Sequence, residues 1–232
     1  MTRIYLPSRG AQDWRVLLAD PVKHWRAGFS AMTLASCWEA AKGFPPEIAA
    51  LFGGEDRPEL LVALPEHKVP LPGSHRGESQ GDVFALVRAG ERTYAVTIEG
   101  KVDEPFDRRL DEWLVGASAG KIERLAFIAD VLGLTQPLPG DVYYQLLHRS
   151  AAAVIEARRF KTDAAAMIVH SFSPTGRWYE EFERFAGLWG VSAVPDKLLP
   201  ITTGRLPLFI GWVAGDSRFL ASEPIPGVAT SI

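Results

Sequence analysis

The sequence predicts an α/β fold in which helices flank a mixed central sheet. Residues 81–88 and 93–101 alternate like the two strands of an antiparallel hairpin, and the glycine of the intervening turn at 90–91 can supply the positive φ that a tight turn needs. The apolar run at 164–172 has the length and the boundaries of a fully buried, parallel strand. Strands of both orientations, separated by helical segments, favour a single α/β domain.

Each remaining element is predicted from its local pattern. Residues 30–42 have a helical composition and end at a glycine followed by two prolines, which is a helix stop signal. A short helix is predicted at 46–52, a strand at 59–64 and a loop at 65–80. After the hairpin we expect an amphipathic helix at 120–132 and a long helix at 141–160, capped by Asp141. The buried strand at 164–172, a further helix at 178–188 and a last strand at 206–213 follow. The expected domain covers residues 1–232, with its core at about 30–172 and a C-terminal extension at 173–232.

The composition excludes several classes of protein. Of the 232 residues, 47% are hydrophobic and 23% are charged, as in globular proteins with a substantial core. No apolar run is long enough to cross a bilayer, and the N-terminus lacks the pattern of a signal peptide. Cys37 is the single cysteine, which excludes a disulfide framework and a cysteine-rich zinc site and suits a reducing cytoplasm. The formal net charge of -3 means that a nucleic-acid partner would have to meet a local basic patch.

The hairpin carries the most informative charged residues. The register that pairs its apolar positions sets Val83 against Ile98, and it places Asp82 opposite Glu99. Lys101, two residues beyond Glu99, lies on the same face. Two carboxylates can hold a divalent cation, and an ammonium group beside them can act on what the cation activates. The alternative is an ordinary ion pair or solvated face, although opposed like charges are destabilising unless something compensates.

This arrangement resembles the PD-(D/E)XK superfamily of restriction-endonuclease-like nucleases. The resemblance rests on an αβββαβ order of elements, on Gly81-Asp82 in the second strand and on Glu99-Gly100-Lys101 in the third, and it covers about residues 30–172. The strings 79–87 and 98–106 are also similar to an uncharacterised bacterial branch of that superfamily. The resemblance implies that Asp82 and Glu99 bind Mg²⁺ or Mn²⁺ together with the Gly100 carbonyl, and that Lys101 positions or deprotonates the attacking water.

The same resemblance implies further site residues on two helices. A carboxylate from the first core helix often completes such a site, and Glu39 is the candidate, although it could equally be a solvated partner of Lys42 at i+3. On the helix after the motif strand, Gln145, His148 and Arg149 are expected to contact the backbone of the nucleic acid. The RecB-like branch has a tyrosine at the position of Arg149, so this chain departs from that branch.

The expected function is therefore metal-dependent hydrolysis of phosphodiester bonds in nucleic acid, with DNA as the first substrate to test. One alternative is a catalytically inactive module of the same fold that binds nucleic acid or a protein, and another is an acidic cluster with a purely structural role. The acidic net charge favours a nuclease that acts as a homodimer or with a partner subunit. His170-Ser171 could suggest a different hydrolase, but the G-x-S-x-G pattern is missing and His170 reads as a satisfied histidine near a strand end.

Overall fold

A computed structural model describes residues 4–5, 8–53, 58–73, 77–204 and 206–220. Its centre is a six-stranded mixed sheet of order β1-β2-β3-β4-β6-β5. The strands are β1 (Glu59–Pro70), β2 (Glu78–Ala89), β3 (Arg92–Lys101), β4 (Ala164–Ser171), β5 (Lys197–Ile201) and β6 (Leu208–Ala214). The α-helices are α1 (Pro21–His24), α2 (Ser30–Ala40), α3 (Pro46–Leu51), α4 (Leu110–Leu114), α5 (Ala119–Leu132), α6 (Tyr144–Phe160) and α7 (Tyr179–Ala186). The predicted α/β class, with a mixed sheet flanked by helices, is confirmed.

The strand directions follow from the connections. β1, β2 and β3 form an antiparallel meander, whereas the crossovers after β3 and β4 return the chain so that β4 runs parallel to β3 and β6 runs parallel to β4. The edge strand β5 pairs with β6 in the antiparallel direction. The predicted hairpin register is confirmed from the Val83–Ile98 pair to the pair that closes the turn, where Gly90 has a φ of 58°. Every residue of β4 is buried, as its continuous apolar sequence predicts for a central parallel strand.

The first two strands are longer than predicted. The segment 65–80 was expected to be a loop, yet β1 continues through Pro65 to Pro70 and β2 begins at Glu78. Proline is tolerated in β1 because this strand lies at the edge of the sheet, where one side of its backbone has no partner strand. The extension matters for the site, because it brings residue 66 into the sheet.

Two other expectations differ from the structure. The long helix α6 begins at Tyr144 and not at Asp141, which is exposed and pairs with Arg184 at 3.2 Å. The edge strand β5 and the short helix α4 were not predicted, since five-residue elements carry little periodicity.

The sheet separates two apolar layers, and strand alternation assigns the site residues to them. α2 and α3 cover one face, with Trp38 and Ile48 packed against Val83 and Ile98. The helices α5, α6 and α7 cover the other face. Glu99, next to Ile98, therefore points towards α6. No helix among the described residues is long and apolar enough to cross a membrane.

Candidate metal-binding cleft

One cleft of about 600 Å³ lies at the end of the β2–β3 hairpin that is remote from its turn, near the start of β2 and the end of β3. Its lining includes Asp82 from β2, Glu99 and Lys101 from β3, and Gln145 and Arg149 from α6. The structure thus brings together the aspartate, glutamate and lysine whose convergence was predicted from the hairpin register.

Asp82 lies just beyond the last ladder pair, Val83–Ile98. Its Oδ2 accepts a hydrogen bond of 2.7 Å from the backbone N–H of Gly100. A Cβ at Gly100 would lie 3.3 Å from this oxygen and 3.2 Å from Leu34 Cδ2, so glycine is what lets the carboxylate approach the strand so closely. The contact involves the Gly100 amide; the role of its carbonyl as a metal ligand remains a prediction.

Glu99 is buried and receives three hydrogen-bond donors. Its Oε1 accepts from Lys101 Nζ at 3.1 Å and from Gln145 Nε2 at 2.7 Å, and its Oε2 accepts from Arg149 Nε at 2.6 Å. Burial opposes its ionisation, but the charges of Arg149 and Lys101 outweigh this and hold the pKa of Glu99 below its usual value. Glu99 is therefore an ionised carboxylate in a cationic setting.

Glu66 is a third carboxylate of the cleft that the sequence analysis missed. It lies on β1 between the Pro65–Val83 and His67–Gly81 pairs, which places it opposite Asp82. Its φ of 53° is in the left-handed region, a conformation that costs a non-glycine residue on the order of 1–3 kcal/mol. Such strain is concentrated at functional sites. Glu66 was missed because residues 65–80 were expected to form a loop. Extending β1 in register past Pro65 would have revealed it.

Glu66 and Asp82 both resist ionisation. Burial raises the pKa of Glu66 to about 7, with a further contribution from the charge of Glu99, although a 2.8 Å hydrogen bond from Gln80 opposes the shift. Burial also raises the pKa of Asp82 well above its usual value, and the charges of Glu99 and Glu66 raise it further. These three carboxyl groups therefore share only two buried cationic side chains among the described residues of the cleft lining, Lys101 and Arg149, which can compensate their charge.

The three α6 residues that were predicted to contact nucleic acid are not positioned to do so. Arg149 is only 8% exposed, and both it and Gln145 donate to Glu99. His148 lies outside the cleft lining: its Nδ1 is 2.8 Å from Ser79 Oγ, and its ring packs on Tyr144. Burial, together with the charge of Arg149, holds the pKa of His148 well below its usual value. Because α6 packs directly against the sheet at this point, these three side chains support the site from the side of the sheet that α6 covers.

Glu39 is not brought to the cleft. The N-terminal residues of α2, Ser30 and Ala31, line the cleft, whereas Glu39 lies near the other end of the helix, about 13 Å further along its axis at 1.5 Å per residue. Its carboxylate accepts hydrogen bonds from Trp14 Nε1 at 2.7 Å and from the hydroxyl of Ser8. It thus anchors the N-terminal segment instead of completing the acidic site.

A cationic rim, formed by Lys23, His24 and Arg26, stands beside the acidic floor of the cleft. All three side chains are exposed, and none makes an ion pair with another residue that the structure describes. They follow Asp20, whose side chain caps α1 by accepting from the backbone N–H of Lys23 at 2.9 Å. The Asp-Pro pair at 20–21 is a helix start signal, and α1 begins there.

The residues of the cleft fit a hard divalent cation. Mg²⁺ and Mn²⁺ prefer oxygen ligands, and Asp82 and Glu66 offer carboxylate oxygens that no described cation pairs with directly. In addition, Gln145 Oε1 is buried without a hydrogen-bond partner among the described residues, so the cleft holds an unused acceptor beside Glu99. A water bound to a cation would be a suitable donor to it.

Comparisons with known proteins identify a family and no function. A family model described as "Domain of unknown function (DUF6946)" matches residues 7–217, which is most of the chain. No curated protein and no solved structure matches the chain.

Proposed function

This chain belongs to the DUF6946 family of domains of unknown function, and we propose that it is a metal-dependent phosphodiesterase that acts on nucleic acid, with DNA as its substrate. The observation that carries the proposal is the convergence of Asp82, Glu66, Glu99 and Lys101 in one cleft beneath a cationic rim. The resemblance of the Asp and Glu-Gly-Lys motifs to those of PD-(D/E)XK nucleases supports the same chemistry.

Asp82 and Glu66 would hold Mg²⁺ or Mn²⁺, with Glu99 beside them. A carboxylate has about four acceptor positions, and the three donors to Glu99 leave it one. A cation bound there would polarise a phosphoryl oxygen and lower the pKa of a bound water. Arg149 and Gln145 act as positioning residues, because their hydrogen bonds fix the orientation of the Glu99 carboxylate.

Lys101 is the residue that would meet the reacting atoms. Its ammonium group is 4% exposed, lies 3.1 Å from Glu99 Oε1 and 5.0 Å from the centroid of the Phe106 ring. One of its three N–H groups is used by Glu99, which leaves donors for the attacking water or a phosphoryl oxygen. In this low-dielectric position the ammonium charge would stabilise the negative charge that develops during in-line displacement.

The rim supplies the contacts to the substrate backbone that α6 does not. Lys23, His24 and Arg26 lie on the solvent side of the same cleft, so Lys23 and Arg26 can neutralise phosphates next to the scissile bond, and His24 can offer a hydrogen bond there. Phe29, 42% exposed and with its ring centroid 6.0 Å from the Arg26 guanidinium, adds an apolar surface there. This local basic patch supports nucleic-acid binding despite the net charge of -3.

The proposal is tested by measuring hydrolysis of single-stranded, duplex and branched DNA and of RNA, each with Mg²⁺ or Mn²⁺. Lys101→Ala should lower the rate at least about 100-fold, as the loss of one group that stabilises transition-state charge does, while calorimetry shows Mn²⁺ binding largely retained. Lys197→Ala is the matched control, since this lysine is exposed and lies on the far edge strand β5, outside the cleft lining. Activity that survives in Lys101→Ala would belong to a different site or to a contaminant.

A second candidate is a module of the same fold that binds nucleic acid or a protein without cleaving anything. The ion pairs of Glu99 favour it, because Arg149 and Lys101 compensate this carboxylate without any metal. Pure protein that binds DNA, yet hydrolyses no substrate with either ion, would establish this alternative and overturn the first proposal.

The setting of the protein is also proposed. A single cysteine suits the reducing cytoplasm, where we propose that the protein works. The acidic net charge is compatible with a homodimer or with a partner subunit that adds positive surface beside the rim. Light scattering on the purified protein, alone and with DNA, measures directly whether it forms a homodimer.

A further inference from the structure

A second cluster of donor groups lies on the opposite face of the sheet. It consists of Cys37 on α2, Glu47 on α3 and His170 on β4, whose donor atoms all lie within 4.8 Å of one another. Glu47 Oε1 is 2.9 Å from His170 Nε2 and 3.5 Å from Cys37 Sγ. We propose that these three residues form a zinc-binding site that is separate from the cleft and independent of its proposed activity.

The donor set selects the metal. Thiolate, imidazole and carboxylate are the ligands that proteins offer to Zn²⁺, whereas Mg²⁺ and Mn²⁺ favour oxygen alone. Around a tetrahedral zinc with ordinary bond lengths, neighbouring ligand atoms are separated by about 3.3–3.6 Å. The distances of Glu47 Oε1 to the other two donors, 2.9 and 3.5 Å, are close to this range, so small side-chain shifts suffice to admit the ion.

The cluster is incompletely satisfied by its own hydrogen bonds. His170 is completely buried, yet its Nδ1 has no hydrogen-bond partner among the described residues. Among the described residues, Glu47 is the polar partner of both the buried ring and the buried thiol. Coordination by all three groups would replace two hydrogen bonds to one oxygen with three metal–ligand bonds.

The surrounding residues hold the imidazole in place. Its ring centroid lies 4.4 Å from that of Phe172. A Cβ built on Gly215 would lie 2.7 Å from His170 Nε2 and 2.4 Å from the Phe172 ring, so a glycine is required there for both rings to pack. The side chain of Glu47 is 21% exposed, which gives a path for the ion and a fourth position for water. When the sulfur binds, the Cys37 thiol releases its proton to solvent through the same opening.

Zinc here would join three elements that are now connected by packing and by the two hydrogen bonds to Glu47. α2 and α3 would be tied to β4 through one ion, behind the face that carries the cleft. Bound zinc would stabilise the native state by mass action.

Cobalt spectroscopy tests the proposal on the full-length protein. The protein is stripped with a chelator and titrated with Co²⁺ in excess Mg²⁺, which keeps the oxygen ligands of the cleft occupied. We expect a cobalt–thiolate absorption band that zinc abolishes when it displaces the cobalt. The band should persist in Asp82→Asn, which changes only the cleft, and disappear in Cys37→Ser.

Zinc affinity gives an independent measurement. By equilibrium dialysis, Cys37→Ser and His170→Gln should each bind zinc at least about tenfold more weakly than wild type, as the loss of a metal-site group does. Wild-type protein without a thiolate band would overturn the proposal, and so would equal zinc affinity in wild type and Cys37→Ser. The wild-type spectrum decides the question even if a variant fails to fold.

Discussion

Replacing Glu66 with glutamine should stabilise the metal-free protein at alkaline pH and have little effect at acidic pH. The substitution keeps the shape of the side chain and an oxygen that can still accept the hydrogen bond from Gln80. It removes the charge that burial and Glu99 disfavour. The effect should therefore follow the ionisation of this one carboxyl group.

The sign and size follow from the raised pKa. The folded-state pKa of Glu66 is about 7, against 4.5 for an unperturbed glutamate, so the native state binds the proton more tightly than the unfolded state does. Stability from this group is therefore fully present below about pH 4.5 and is lost as the pH rises to about 7. At 1.36 kcal/mol per pKa unit the whole loss is about 3 kcal/mol, so Glu66→Gln should gain up to about 3 kcal/mol at about pH 8 and less than about 1 kcal/mol at about pH 5.

Urea unfolding followed by tryptophan fluorescence, with a chelator present, measures these differences. The matched control is Glu78→Gln on the neighbouring strand, where the carboxylate is 47% exposed and its ion pair among the described residues is with Lys68. An exposed pair of this kind contributes at most about 1 kcal/mol, so the control should change little at either pH. A Glu66→Gln protein with the same stability change at both pH values, or one destabilised at about pH 8, would refute the reasoning.

Three further outcomes are expected from the same geometry. Arg149→Met should destabilise the metal-free protein by about 3 kcal/mol in urea unfolding, because it leaves the buried Glu99 without its guanidinium partner, and an unchanged midpoint would mean that the pair is not formed. Removing two rim charges together, in Lys23→Ala with Arg26→Ala, should weaken DNA binding about equally across sequences and flatten its dependence on salt; a fluorescence anisotropy titration with both properties unchanged would place the DNA elsewhere. Mn²⁺ binding measured by calorimetry should tighten as the pH rises and should release protons, because burial raises the pKa of Asp82 well above its usual value and a proton therefore competes with the ion for this carboxyl group. A pH-independent affinity would argue against Asp82 as a ligand.

The hairpin and its charged end were predictable because local pattern determines them. A two-residue turn at Gly90, apolar pairs on one face and a period of two leave one register, and that register brings Asp82 and Lys101 to the same face. The central strand β4 was predictable for a related reason, since a strand buried on both faces has a continuous apolar sequence.

The remaining site residues depend on contacts that no local pattern encodes. Glu66 enters the cleft only because an edge strand tolerates Pro65 and because residue 66 adopts a left-handed backbone. The helical face of Arg149 was predictable, but whether its guanidinium turns towards Glu99 or towards solvent depends on how deeply α6 packs. For Glu39 the helix α2 was predicted correctly, but the residue lies too far along the helix axis to reach the cleft, and the sequence pattern did not indicate this.

The second cluster had no signal in the sequence at all. Cys37, Glu47 and His170 come from three different elements, and the histidine is separated from the other two by more than half of the chain. Metal-binding motifs are recognised by short, regular spacings, and this set has none. Only the packing of α2 and α3 on the face of β4 brings the three donors together.

Crystals soaked in Mn²⁺ test the central claim most directly, because anomalous diffraction locates the ion without any assumption about activity. If the cleft is a metal site, one anomalous peak should lie within about 2.0–2.4 Å of carboxylate oxygens of Asp82 and Glu66, beside Glu99, and it should be absent from crystals of Asp82→Asn. A cleft without a peak, in which Arg149 and Lys101 still hold Glu99, would contradict the account and leave the acidic cluster as an ion-pair network.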